Sequence, residues 1–388
     1  MVTRRQSLCL LGGGALAARF ARASYAAPQT EQRLVVVLLR GAMDGLSAAP
    51  AIGDPDYVRA RNGLAIDNAL KLDSMFGLHP NLAGFKQLYD SGELLVVHAT
   101  ATPYRDRSHF DGQNLLENGS ERPYGLDTGW LNRALAQMPS AGKPLGIALN
   151  SHMPLMMRGP AVVTSWAPSS LAPPDGDTVQ RLAALYGETD PRLAQDFAEA
   201  QNANGVAMGG AGRGGGGYQE FTALMTAAAK FLSAPGGERV AMIENTGWDT
   251  HVNQAGAFSP LSTNLTALDR GIQALKSGLG PVWTKTAAIV VSEFGRTVAM
   301  NGTQGTDHGT ASAVFVMGGA IKGGRVLADW PGLAPGALYQ SRDLKPTTDF
   351  RTIATGVLRD HLGLHGAELA AVFPSAAPIR PRDGLIRA

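Results

Sequence analysis

The run Leu34-Val35-Val36-Val37-Leu38-Leu39 constrains the chain more than any other feature. It has no polar residue for either face, so it reads as a strand buried on both sides, as in a parallel sheet covered by helices. Similar apolar runs occur at 94–99, 239–243, 287–291 and 313–317. Helical patterns at 82–91, 178–186, 191–202, 218–233, 261–278 and 348–362 separate them. Strands alternating with helices predict an α/β three-layer sandwich around a mainly parallel central sheet, with residues 28–388 as one domain. The glycine-rich stretch at 205–217 reads as a flexible insertion. It has no Gly-Lys-Ser/Thr ending and no apolar strand leading into it, so it does not read as a phosphate loop. The stretch at 154–174 is also irregular and reads as a second decoration of the same domain.

The amino terminus belongs to a different logic. Arg4-Arg5 precedes a short apolar stretch from Leu8 to Ala18, followed by small residues up to Ala27. This is the make-up of an export signal, and the arginine pair resembles the twin-arginine type read by the export machinery for folded proteins. The whole chain carries 34 basic and 32 acidic residues and one cysteine. Residues 1–27 hold four of the arginines, the cysteine and no acidic residue, so the mature protein has 30 basic against 32 acidic residues and no thiol. A nearly balanced charge argues against nucleic acid or an anionic membrane as partner. No other stretch is long and apolar enough for a permanent membrane span. The expectation is a periplasmic or secreted protein in which any metal rests on carboxylates and imidazoles.

In open α/β sheets, ligands bind beyond the carboxyl ends of the strands. Four strand ends in succession deliver carboxylates, and three of those segments carry a histidine as well. The first gives Asp44, and the second gives Arg107-Ser108-His109-Phe110-Asp111. The third gives Asp249 and His251, which share one side of an extended segment. The fourth gives Glu293 and Arg296, then Asp307-His308. His79, His98 and His152 have no partner pattern and read as ordinary packed or surface histidines, and Trp248 as a core residue.

Arg-Gly-x-x-Asp-Gly-Leu from Arg40, Arg-Ser-His-Phe-Asp from Arg107, Gly-Trp-Asp-Thr-His from Gly247, Ser-Glu-Phe-Gly-Arg-Thr from Ser292 and Gly-Thr-Asp-His-Gly from Gly305 occur together with the twin-arginine start. In that combination the chain resembles an exported bacterial family, the domain of unknown function 1501, grouped with the alkaline phosphatase and sulfatase superfamily. The resemblance runs from about Arg33 to Phe373. It implies an alkaline-phosphatase-like fold and one or two divalent cations, with Zn, Mn, Mg and Ca not distinguished. It implies that Asp44, Asp307 and His308 share one metal, that Asp249 and His251 serve a second, and that Ser108 is the nucleophile.

Ser108 would open a helix over 109–118, where N–H donors favour an anion. It also fits a plain helix cap supported by Asp111. Thr100 and Thr102 are weaker hydroxyl candidates. Arg40, Arg107 and Arg296 are candidates for contact with an anionic substrate, with Arg105 and Lys322 behind them. The chain departs from the superfamily pattern at the fourth strand end, where Glu293 stands in place of the usual Asp-His pair and Asp307-His308 follows fourteen residues later. Glu293 is therefore a candidate ligand. So is His109, for the last metal histidine, alongside His361 and His365 near the carboxyl terminus. No Cys/Ser-x-Pro-x-Arg segment is present, which argues against formylglycine sulfatase chemistry. The reading is an exported hydrolase of phosphate or sulfate esters acting on a small molecule or glycan, with a non-catalytic exported binding protein on the same fold as the alternative.

Overall fold

In a computed structural model, the apolar run at 34–39 forms β1 (Arg33–Leu39), fully buried from Leu34 onward. The structure describes residues 31–140, 142–168, 175–208, 218–256 and 258–387. The expected export signal at 1–27 and residues 209–217 of the glycine-rich stretch lie outside them. Glu31–Ala388 form one compact unit.

β1 lies inside a nine-stranded sheet. The other strands are β2 (Leu94–Ala101), β3 (Gly146–Leu149), β4 (Val163–Trp166), β5 (Val240–Asn245), β6 (Thr286–Ser292), β7 (Ser312–Met317), β8 (Arg325–Leu327) and β9 (Thr348–Asp349). Across the sheet the order is β8, β2, β7, β6, β1, β5, β3, β4, with β9 added beside β2. Pairing is parallel from β6 through β1, β5 and β3 to β4, and again where β8 and β9 meet β2. β7 runs antiparallel to both neighbours, β2 and β6. The connection from β6 to β7 is a folded-back loop rather than a crossover helix, and a return of that kind reverses the strand.

The helices are α1 (Gly45–Ala48), α2 (Tyr57–Arg61), α3 (Ala83–Asp90), α4 (His109–Asn118), α5 (Trp130–Gln137), α6 (Gly176–Thr189), α7 (Pro191–Met208), α8 (Tyr218–Ser233), α9 (Pro260–Leu279), α10 (Phe350–Leu362) and α11 (Ala367–Val372). Alternation along β1 sorts its side chains into two cores. Val35, Val37 and Leu39 pack with α3, α8 and α9, through residues such as Phe85, Met225 and Ile272. Leu34, Val36 and Leu38 pack on the opposite face with α5 and α10, through Trp130, Leu131, Ile353 and Val357. Two helical layers over one mostly parallel sheet make the predicted three-layer sandwich. No helix among the described residues is long and apolar enough to cross a membrane.

α8 and α9 approach closely because Gly271 meets the Phe221 ring, where an added Cβ would lie 2.4 Å from a ring carbon. Gly271→Val should therefore destabilise the protein by about 1–3 kcal/mol through overpacking, read as a lower midpoint in urea unfolding.

Candidate metal centre

Three segments at the carboxyl edge of the sheet meet at one point. α4 begins with His109, and the segment after β5 carries Asp249 and His251. The loop between β6 and β7 folds into a hairpin in which Arg296 pairs with His308 and the Thr297 N–H bonds the Asp307 carbonyl at 2.9 Å. The fourteen residues between Glu293 and Asp307 thus leave the strand end and return to it. Close backbone contact fixes the arrangement. Gly41, at φ 116°, leaves room for the Asp249 nitrogen, where a Cβ would lie at 2.6 Å, and a Cβ on Gly305 would lie 2.2 Å from the His251 carbonyl.

His308 Nε2 lies 3.0 Å from His109 Nε2 and 3.0 Å from His251 Nε2. Asp249 Oδ1 lies 3.2 Å from His308 Nε2 and 3.0 Å from His251 Nε2, while its Oδ2 lies 3.4 Å from His109 Nε2. His109, Asp249 and His308 each offer one ligand atom within 4.8 Å of the others. His251 forms a second triangle on the same His308–Asp249 edge.

The far nitrogen of every ring is committed. His109 Nδ1 bonds Glu293 Oε1 at 2.8 Å, His251 Nδ1 bonds Asp307 Oδ1 at 3.2 Å, and His308 Nδ1 bonds the Arg107 carbonyl at 2.8 Å. Carboxylates and carbonyls only accept, so each Nδ1 carries the proton and, in the neutral ring, each Nε2 presents a lone pair. Three lone pairs then face one another beside the Asp249 carboxylate, whose Oδ1 already accepts from Arg296, and a cation relieves the crowding of the lone pairs. A tetrahedral ion about 2.0–2.1 Å from each ligand sets ligand spacings of about 3.3 Å, close to the distances from His308 Nε2 to its three neighbours. A carboxylate or carbonyl behind each imidazole is the usual support of metal-bound histidine. The donor set fits a divalent cation.

Glu293 is buried, and burial pushes its carboxyl up. Bonds from His109 and Gln113 outweigh this and hold it below the ordinary carboxylate value. Glu293 in turn raises His109. His308 is lowered by burial. Asp249 is also held low, since Arg296 outweighs its burial through a 2.5 Å ion pair. Side-chain exposure runs from 0% at Glu293 to 42% at Asp249 and 51% at Asp307, so the centre is closed behind His109 and open at Asp249 and beside His251.

Other sequence-predicted residues sit elsewhere. Asp44 is the main correction. Its carboxylate caps α1, is 1% exposed, and is occupied by Arg61 at 2.5 Å, Gln254 at 2.5 Å and the Ser47 hydroxyl at 2.8 Å, so it is no member of the cluster. Glu293 and Asp307 stand behind the histidines instead of among the ligand atoms. The Arg107 side chain turns away to Asp343 and Gln340, while its backbone, at φ 63°, aims the carbonyl at His308. Arg296 is buried against Asp249 and Thr306, and the half-buried Arg40 is taken up by Gln113, Glu117 and Glu244, so both guanidiniums are already paired.

Ser108 occupies the N-cap position of α4 without capping it, and its N–H bonds the Tyr104 hydroxyl. His361 bonds the Arg33 carbonyl inside the core, and His98 stacks on Phe76. Sequence reasoning missed Arg61, Gln113 and Gln254. Gln254 joins Asp44 to the Thr306 hydroxyl at 2.6 Å, and Thr306 accepts from Arg296 Nε at 3.0 Å. No motif marks these three.

Fold and side chains together define an α/β protein with an imidazole-rich cluster, a candidate cation site, at the carboxyl edge of its sheet. The chain belongs to the family described as protein of unknown function (DUF1501), whose model matches residues 95–373. No curated protein matches the chain. Similar solved structures include the zinc complex of the C-terminal periplasmic domain of EcEptC from Escherichia coli, at 11% identity, TM-score 0.36 and coverage of 74% of this chain and 73% of that one. A TAB5 alkaline phosphatase mutant with Mg bound is similar at 13% identity and TM-score 0.37, covering 75% and 92%. The PsFucS1 sulfatase from Pseudoalteromonas sp. is similar at 12% identity and TM-score 0.35, covering 84% and 68%.

Arg61→Met leaves Asp44 charged, buried and unpaired, and should cost about 3–5 kcal/mol in urea unfolding. Adding Asp44→Asn should recover much of that loss. Burial raises the Asp44 carboxyl, and Arg61, Ser47 and Gln254 bring it below its ordinary 3.8. A depressed folded value gives stability that is present above 3.8 and lost as pH falls through the folded value. The double variant should therefore lose less stability in acid than the wild type.

Proposed function

We propose that the chain is an exported, metal-dependent hydrolase of phosphate or sulfate esters, in which His109, Asp249, His251 and His308 hold a divalent cation. The observation that carries this reading is the convergence of three Nε2 lone pairs and the Asp249 carboxylate, each imidazole fixed by its other nitrogen. A nitrogen-rich set suits Zn better than Mg or Ca, which prefer oxygen. When bound, such a cation draws in an anionic ester oxygen and makes an oxygen nucleophile more acidic.

The chain's residues supply the rest. Glu293, Asp307 and the Arg107 carbonyl keep the protons on the Nδ1 atoms. Arg296 holds Asp249 in place, and Phe294 covers the His109 ring in a stack at 5.0 Å. Ser108 provides the attacking hydroxyl in this reading. It adjoins His109 at the open end of α4, and its oxygen is not spent on a cap. Its Oγ would bond to the phosphorus or sulfur as the ester oxygen leaves, the hydroxyl proton passing to that oxygen through solvent, and water would then cleave the Ser108 ester to free the anion and restore the hydroxyl. The N-terminus of α4 favours the anion's charge.

One observation favours the non-catalytic alternative. The Asp44 carboxylate, which a second cation would need, is occupied by Arg61. A protein that keeps its metal yet turns over no ester in a broad panel would support a binding role.

Purified wild-type protein should retain metal and hydrolyse 4-nitrophenyl phosphate or sulfate. His308→Ala should lose the metal. Ser108→Ala should keep it and lose about a hundredfold or more in turnover. Turnover surviving in Ser108→Ala would place the attack on another oxygen.

A further inference from the structure

A cleft of about 310 Å³ opens beside the centre, bounded by α2, the hairpin at 297–301 and the segment 333–342. Asp307 is part of its lining, with its carboxylate 3.2 Å from His251 Nδ1 and 3.1 Å from Asn301 Nδ2. Its wall is apolar and includes Val298, Met300, Leu333 and Leu338, of which Val298 and Leu333 are 1% exposed. The lining also carries Arg59, which pairs with Asp56 through one terminal nitrogen and keeps its other donors, and Arg342; their side chains are 62% and 40% exposed.

Charge along the lining is uneven. Asp343, fully buried, is shared by Arg107 at 2.7 Å and Arg342 at 3.3 Å, so two guanidiniums rest on one carboxylate. Arg107 takes the closer, two-nitrogen contact, with its Nε at 2.8 Å. Arg342 is held by one loose bond and keeps donors for a ligand. A guanidinium on an apolar wall, partly out of water, suits a carboxylate or a related planar or tetrahedral anion. The volume is enough for a small ligand body such as a substituted aromatic ring.

We propose that this cleft seats the leaving group of the substrate, and that this group is an apolar body with a negative charge at its far end, bound by Arg342 and Arg59. The leaving-group role rests on the hydrolase reading. The binding site itself does not depend on that reading.

The test uses full-length protein and two probes of one shape, 4-ethylbenzoate and its neutral amide, titrated by calorimetry with and without a chelator. The acid should bind about tenfold or more tightly than the amide in both conditions. In Arg59→Gln/Arg342→Gln the two probes should bind alike. Leu338→Trp, which fills the cleft, should abolish binding of both, with metal content unchanged in either variant. The proposal is overturned if the acid does not bind the wild type, or if its advantage survives in the arginine double variant. Binding of the acid to a protein that never retains metal would leave the cleft assignment standing and remove the hydrolase reading.

Discussion

Everything at the centre depends on what the histidines do with their far nitrogens. Glu293, Asp307 and the Arg107 carbonyl accept hydrogen bonds from the Nδ1–H groups and so turn three Nε2 lone pairs inward, against the Asp249 carboxylate. Without those acceptors the rings could turn or exchange tautomer, and the same four side chains would make an ordinary hydrogen-bonded cluster. The backbone contributes as much as the side chains, since the positive φ at Arg107 is what presents its carbonyl to His308.

The fold delivers this arrangement through the ends of adjacent strands. β1, β5 and β6 lie side by side, so the segments that follow them emerge together. The hairpin after β6 brings Asp307 and His308 back to the strand end. A buried relay of Asp44, Gln254, Thr306 and Arg296 ties the first strand's loop to Asp249. Asp44 thereby serves the centre as an anchor that holds the neighbouring loops in register, with Arg61 balancing its charge inside the core.

The sandwich was legible because long runs such as 34–39 and 287–291 have no polar face, and because α8 and α9 follow a helical period. The four-residue strands β3 and β4 carry too few residues for a period to show. The reversal of β7 depends on the shape of its connection, which composition does not record. At the centre, His109, Asp249, His251 and His308 were all found from their positions after strands. Their division from the supporting groups was not legible: Glu293, Asp307 and Asp44 look like ligands in the sequence, and only geometry separates an oxygen that faces the open space from one behind a ring. Asp44 was misplaced because its partner Arg61 comes from a short helix with no pattern of its own, and Gln254 belongs to no motif.

The central claim is that three imidazoles and one carboxylate share a cation. X-ray absorption at the metal edge of the purified, metal-loaded protein tests it directly. Three imidazole nitrogens and at least one oxygen are expected at about 2.0–2.1 Å, with one nitrogen fewer in metal-loaded His251→Ala. A shell made only of oxygens, or a nitrogen signal unchanged in that variant, would contradict it.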